Sequence, residues 1–108
     1  MFVDAKPGTF SAIYMCAGYT DLRKNIDGLA AMLIYEYNID PYLENVLFLF
    51  CGRCAYKIKG LVWESNGFTM INKRLSMGRY QWNRDQSKGL IPITHEQFQK
   101  LMTTGKIE

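Results

Sequence analysis

The sequence has no long hydrophobic segment and only three cysteines, and each of these features argues against a class of protein. No stretch approaches the ~18 consecutive apolar residues of a membrane-spanning helix. The first residues lack the basic and then apolar pattern of a secretory signal. An odd number of cysteines disfavours the small secreted scaffolds that depend on paired disulfides. We therefore expect a reduced, cytoplasmic protein that does not enter a membrane.

Signatures of catalysis and of cofactor binding are also missing. The chain contains neither a GxxxxGK[ST] phosphate-binding loop nor a GxGxxG dinucleotide-binding pattern. Its ten carboxylates are scattered along the chain, whereas two-metal phosphoryl transfer needs several that converge on ions ~4 Å apart. We expect no enzymatic activity, no cofactor and no small-molecule substrate.

The pair Cys51-x-x-Cys54 has a spacing found in metal and redox sites. Structural zinc takes four ligands, usually from a second pair, and the other soft candidates, Cys16 and His95, are both distant in sequence. A redox pair places its first cysteine at a helix start, whereas predicted strands flank this one. The pattern favours a structural role over the metal and redox alternatives. We expect no bound metal, and we expect the chain to fold when both cysteines are replaced by serine.

What is present indicates a folded domain. Hydrophobic residues make up 48% and aromatic residues 14% of the 108 positions, which is enough to build a sizeable core without metals or disulfides. The length is near the common size of one domain. We predict a single domain over residues 1–108, with a lead-in arm at residues 1–11 and a tail at residues 103–108.

The centre of the chain reads as a β-meander. A solid apolar run at residues 46–50 is followed by two shorter runs, and turn signals at residues 51–54 and at Asn66-Gly67 separate the three. Residues 80–82 are a candidate for a fourth strand, and residues 83–91 read as a loop. An earlier apolar segment, residues 12–16, predicts an N-terminal strand.

Two helices accompany these strands. Thr20 is placed to cap the first helix, and four apolar residues share one face of it at spacings of four, three and four: Leu22, Ile26, Leu29 and Leu33. Thr94 and Gln97 form a capping box at the start of the second helix. The order of elements predicts an α+β fold, in which an antiparallel sheet packs against two helices on one face. The sheet consists of a three- to four-stranded meander and the N-terminal strand.

Positive charge is concentrated in the meander. Residues 51–84 contain seven basic residues and one acid, a net charge of +6, while the remaining residues contain six basic residues and nine acids, a net charge of −3. Such asymmetry is a hint of a polyanionic partner, although lysines on a sheet surface also serve solubility alone. The candidate nucleic-acid-binding residues are Arg53, Lys57, Lys59, Lys73, Arg74 and Arg79.

The faces of these elements make the hypothesis more specific. Lys57 and Lys59 alternate with apolar residues along one strand, so we expect them on a cationic, solvent-facing side of the sheet. Arg23 and Lys24 belong to the first predicted helix, which we expect on the opposite side. The sheet aromatics are either core or a stacking surface for bases, and core is the more common case.

Residues 14–29 contain the pattern Gly-x-Thr-Asp-Leu-Arg-Lys-x-x-Asp-Gly-Leu. This segment resembles the signature of the small TnpB-type accessory proteins of insertion sequence 66 family transposons. The likeness continues through Asp40-Pro41, Asn66-Gly67-Phe68, Lys73-Arg74-Leu75 and residues 78–82, and spans about residues 12–102. The signature residues are Thr20, Asp21, Arg23, Lys24, Asp27 and Gly28.

The sequence departs from the family pattern at three places. Asn83 stands where the family has proline, the turn at residues 51–56 contains fewer arginines, and the characteristic C-terminal ending is absent. The resemblance implies a non-catalytic accessory protein that a bacterial mobile element requires for transposition. Two mechanisms stay open: binding to duplex DNA of the element through the basic sheet face, or docking on the element's transposase as a protein-interaction module.

Overall fold

The computed structural model describes residues 10–108. In chain order, the elements are the strand Ala12–Cys16 (β1), the helix Ile26–Tyr35 (α1), the strands Val46–Cys51 (β2), Lys57–Glu64 (β3), Gly67–Arg74 (β4) and Leu90–Ile93 (β5), and the helix His95–Thr104 (α2). The expected α+β class is confirmed. Most of the expected lead-in arm, residues 1–9, lies outside the described residues. Neither described helix is long and apolar enough to cross a membrane.

The five strands form one sheet in the order β4-β3-β2-β1-β5. Antiparallel ladders join β2 to β3 and β3 to β4, which confirms the meander with three strands. Strand β1 pairs with β2 in parallel and with β5 in antiparallel orientation. A parallel neighbour requires a crossover connection, and the segment that contains α1 provides it.

The C-terminal part of the sheet differs from the prediction in two ways. The predicted loop over residues 83–91 ends too late, because Leu90 already belongs to β5. This strand has four residues and includes Pro92, which is tolerated because β5 lies at an edge of the sheet. Residues 80–82 form no strand, since their amides bond elsewhere: the N–H of Tyr80 donates to Ala55 and that of Gln81 to Gly105.

The two helices cover opposite faces of the sheet, so the expectation of one covered face was wrong. All six residues of β2 are buried. Its side chains alternate between a cluster that contains Phe98 and Leu101 of α2 and a second cluster that contains Leu29 and Leu33 of α1. A strand that is apolar at every position needs cover on both faces. The continuous apolar segment at residues 46–50 therefore indicated that both faces of β2 are covered.

Helix α1 begins later than predicted. Its N-cap is Asn25, whose side-chain oxygen accepts the N–H of Gly28 at 2.9 Å. Thr20 is not a cap: it is buried, and its N–H donates to the carbonyl of Cys51 at 2.8 Å. Leu22 consequently precedes the helix, although it packs against the same cluster as the helix residues.

Helix α2 follows the prediction closely. The capping box is present, with both the Thr94 and Gln97 hydrogen bonds made. The helix ends at Gly105, which has a φ of 78°, a conformation that favours glycine. The tail is attached to the body, because the N–H of Ile107 donates to Oε1 of Gln81 at 2.8 Å.

Candidate nucleic-acid interface

The signature segment before α1 lies against the connection between β2 and β3. The Thr20 to Cys51 hydrogen bond joins the two at the end of β2. Beside it, a Cβ atom added to Gly52 would stand 3.2 Å from Cδ1 of Leu22, so a side chain there would require Leu22 to shift. Residues 19–23 and 52–57 together line a depression of about 480 Å³, which we call the signature depression.

The connection itself has a fixed shape. Ala55 has a φ of 60°, a left-handed conformation that costs a non-glycine residue roughly 1–2 kcal/mol. Its N–H donates to Gly52 at 3.0 Å and its carbonyl accepts the N–H of Tyr80 at 2.6 Å. These bonds hold the connection so that Arg53 and Cys54 are exposed at its tip.

Two signature residues form an ion pair beside the signature depression. The guanidinium of Arg23 contacts the Asp21 carboxylate at 2.8 Å, with further hydrogen bonds from Nε and from the backbone N–H. These bonds hold the pKa of Asp21 well below its usual range. Because Asp21 stays charged, it offsets part of the positive charge of Arg23. Arg23 was expected on the first helix, but it precedes α1.

A second depression, of about 550 Å³, lies next to the first, and Tyr56 lines both. It contains Arg74 and Arg79, and the guanidinium carbon of Arg74 lies 5.3 Å from the ring centre of Tyr56, in a cation–π arrangement. Arg53, Lys57, Arg74 and Arg79 are all exposed. We call these four residues the basic end.

The other two candidate residues are engaged by backbone carbonyls. The ammonium of Lys73 donates to the carbonyl of Met102 near the end of α2, where a cation complements the helix dipole. The ammonium of Lys59 donates to the carbonyl of Lys24 at 3.0 Å. Both lysines are only partly exposed, so they are less available to a ligand than the basic end.

The structure also corrects the expected faces. Lys73 is paired with Ile58 across the β3–β4 ladder, whereas Lys59 is paired with Asn72, one position along. Neighbouring positions on a strand point to opposite faces, so the six candidate residues do not share one cationic face. Lys24 was expected on the far side of the sheet from Lys59, and their hydrogen bond shows that it is not.

The opposite end of the meander is acidic and aromatic. Tyr42, Trp63 and Phe68 pack with ring centres 5.0–5.2 Å apart, next to Glu44 and Glu64 at the β3–β4 hairpin. We call these five residues the acidic-aromatic end. An eight-residue strand spans roughly 23 Å between its first and last residues, and the two ends are therefore well separated.

Sequence reasoning missed the acidic-aromatic end. The pairing of Trp63 with Phe68 follows from the hairpin and could have been read from the sequence. The contribution of Tyr42 could not, since it depends on how the segment before β2 folds back.

The two cysteines of the CxxC pattern have different surroundings. Cys51 is fully buried in β2, and burial raises the pKa of its thiol to about 12. Cys54 is exposed, and neither forms a disulfide. Within residues 10–108, no three histidine, cysteine, aspartate or glutamate side chains are grouped so that they could hold a metal ion.

Comparison with known proteins identifies the family. A family profile described as "IS66 Orf2 like protein" matches residues 11–108. An uncharacterized protein of Sinorhizobium fredii, y4hO, is 29% identical over 91 residues, which cover 84% of this chain and 77% of that protein. No solved structure matches. Since the profile covers nearly the whole chain, the protein belongs to the IS66 Orf2-like family, which is associated with an accessory role in the transposition of insertion sequences.

Proposed function

We propose that this accessory protein binds duplex DNA of its bacterial insertion sequence through phosphate contacts at the basic end. The observation that supports this most is that Arg53, from the β2–β3 connection, and Lys57, from the start of β3, meet Arg79, from the segment after β4, around Tyr56. Among residues 10–108, no carboxylate lies within ion-pair distance of these three side chains. Their charge is therefore available to a ligand.

The chemistry of these groups fits a phosphate backbone better than a base edge. Exposed arginines bind phosphate oxygens in a forked geometry, and phosphate contacts position a protein on DNA without reading its sequence. Lys59 and Lys73, held by carbonyls, add to the positive field around the basic end. Arg23 adds less, because Asp21 is beside it.

The test measures binding of the purified protein to duplex DNA over a salt series. The slope of log K against log salt should be about −0.9 for each phosphate neutralised, because counterions are released. Changing Arg53→Ala together with Lys57→Ala should flatten the slope by up to ~2. Stability should be unchanged, since both side chains are exposed.

A charge-matched control is Lys88→Ala with Lys100→Ala, two exposed lysines that line neither depression. This pair should leave the slope unchanged. Equal slopes for the two double variants would refute the basic end as the contact surface. Absence of duplex binding at low salt would refute DNA binding altogether.

A second candidate function, docking on the element's transposase, is favoured by the acidic-aromatic end. Tyr42 is 53% and its neighbour Leu43 41% exposed, although both are large and apolar. Aromatic groups surrounded by a polar rim are typical of protein contact sites. Changing Tyr42→Ser and Leu43→Ser should weaken binding to purified transposase and leave DNA binding intact. Unchanged transposase binding would exclude this surface.

A further inference from the structure

Strand β4 forms one edge of the sheet, and within residues 10–108 no strand pairs with its outer side. It has eight residues and no proline. The opposite edge strand, β5, has four residues and contains Pro92, which are two common protections against strand addition. A long edge that lacks such protection is a template for pairing with another chain.

The hydrogen bonds of the hairpin show which groups point outward. The N–H of Leu75 donates to Tyr56 at 2.8 Å, so the odd-numbered residues of β4 direct their N–H and C=O toward β3. In an antiparallel ladder, the backbone groups alternate between the two sides. Four residues therefore present N–H and C=O at the free edge: Phe68, Met70, Asn72 and Arg74.

The distribution of charge along β4 indicates what would pair there. Lys73 and Arg74 lie at one end, and the β3–β4 hairpin with Glu64 lies at the other. A second copy in antiparallel orientation would bring Lys73 and Arg74 of each β4 strand toward the hairpin end of its partner. A parallel copy would bring like charges together, which is unfavourable.

One register pairs every outward group. With a two-fold axis at Ile71, Arg74 of one copy stands opposite Phe68 of the other, in reach of a cation–π contact. Lys73 stands opposite Thr69, whose hydroxyl donates to the Glu64 carboxylate. The edge is thus complementary to itself in both hydrogen bonding and charge.

We propose that the protein forms a two-fold symmetric dimer in which the β4 strands of two copies pair in antiparallel orientation around Ile71. The two five-stranded sheets would become one sheet of ten strands, joined by an interface of the isologous type. Arg53 lies in the β2–β3 connection and Lys57 in β3, one strand in from this edge, and neither belongs to β4. Of the four residues of the basic end, only Arg74 belongs to β4, so dimer formation and DNA binding share that one residue.

Cysteine cross-linking tests the register. In a Cys54→Ser background, Ile71→Cys would face its own copy in a non-hydrogen-bonded pair with Cα atoms ~4.5 Å apart, which is within disulfide range. A mild oxidant should produce a disulfide-linked dimer. Thr69→Cys and Lys73→Cys should each fail alone and cross-link when mixed, because these positions face one another only across the dimer axis.

The size of the protein in solution tests the edge itself. Sedimentation over a concentration series should show a dimer, and Asn72→Pro should make it monomeric, because proline removes an outward N–H and leaves the β3 ladder intact. Asn72→Ala retains the N–H and should stay dimeric. Circular dichroism should confirm that both variants are folded.

Three results would overturn the proposal. The first is a native protein that stays monomeric at the highest concentration reached. The second is a dimer that persists in folded Asn72→Pro. The third is an Ile71→Cys variant that cross-links no faster than Met77→Cys, a position that is 86% exposed and outside the strand.

Discussion

Single residues at the candidate interface differ in what their charge contacts. The ammonium of Lys73 donates to a carbonyl near the end of α2, and that of Lys59 donates to a carbonyl before α1. Arg53 and Lys57 have no such contact among the described residues. All four lie in one basic stretch of sequence. Whether a basic side chain is available to a ligand therefore depends on its neighbours. Variants that test DNA binding should change the exposed residues of the basic end.

The cysteines provide a prediction at the same scale. With a thiol reagent near pH 8, native protein should react quickly at Cys54 and slowly at Cys51, because burial raises the pKa of Cys51 to about 12 and leaves almost no thiolate. Burial raises the pKa of Cys16 as well. Titration should find one fast thiol in native protein and three after denaturation. Two fast thiols in native protein would contradict the buried position of Cys51.

Burial also changes what serine substitution should do. Cys51→Ser places a hydroxyl in the core and should cost about 1–3 kcal/mol of stability, whereas Cys54→Ser should be neutral and serves as the matched control. The double variant should fold with this reduced stability. Metal analysis of native protein is still expected to find no bound zinc.

At the scale of elements, α1 shows how a long-range hydrogen bond can delay the start of a helix. The apolar spacing from Leu22 to Leu33 continues across the boundary at Asn25, so periodicity alone does not locate the start. The hydrogen bond from Thr20 to Cys51 holds the preceding segment against β2. Asn25 then caps the helix, and Gly28 fits there because an added Cβ would stand 3.3 Å from Cβ of Lys24.

The packing of α1 can be tested by truncating one side chain. Leu29 is fully buried against the sheet, and Leu29→Ala should destabilise the protein by ~2–5 kcal/mol in denaturant unfolding. Tyr35→Ala on the same helix is the control, because Tyr35 is 80% exposed and its truncation should have little effect. A loss below about half a kcal/mol for Leu29→Ala would fall outside the range expected for a buried leucine.

At the scale of the whole molecule, a net charge of +3 conceals a separation of charge along the strands. The basic end and the acidic-aromatic end lie at opposite ends of the β3–β4 ladder. A separated distribution of this kind can orient a charged partner as it approaches. It also accounts for two different proposed surfaces on one small protein, one for polyanions and one for protein.

Hydrogen exchange should show that protection falls from the centre of the sheet outward. Strand β2 lies in the middle and is buried at all six positions, so its amides should exchange only through the largest openings. Strand β5 is short, partly exposed and at an edge, and should exchange fastest among the strands. Mass spectrometry of peptides from the two strands would decide, and equal protection would contradict this order.

Short-range patterns were sufficient for much of the fold. The three apolar runs, the turn between β3 and β4, and the capping box of α2 each depend on residues close together in sequence, and all three predictions are confirmed. The hairpin connection is Ser65-Asn66, one residue earlier than the predicted turn. The signature pattern likewise identified the family from adjacent residues.

The sequence by itself therefore determined the class of fold, the meander and the family, because their signals are local. Only the tertiary structure decided that the helices cover opposite faces, that β1 pairs in parallel with β2, and that the signature segment meets the β2–β3 connection. It also decided which lysines are held by carbonyls, through contacts such as that of Lys73 with Met102, which are 29 residues apart. Such contacts depend on how distant segments pack together, so the pattern of residues within one segment does not predict them.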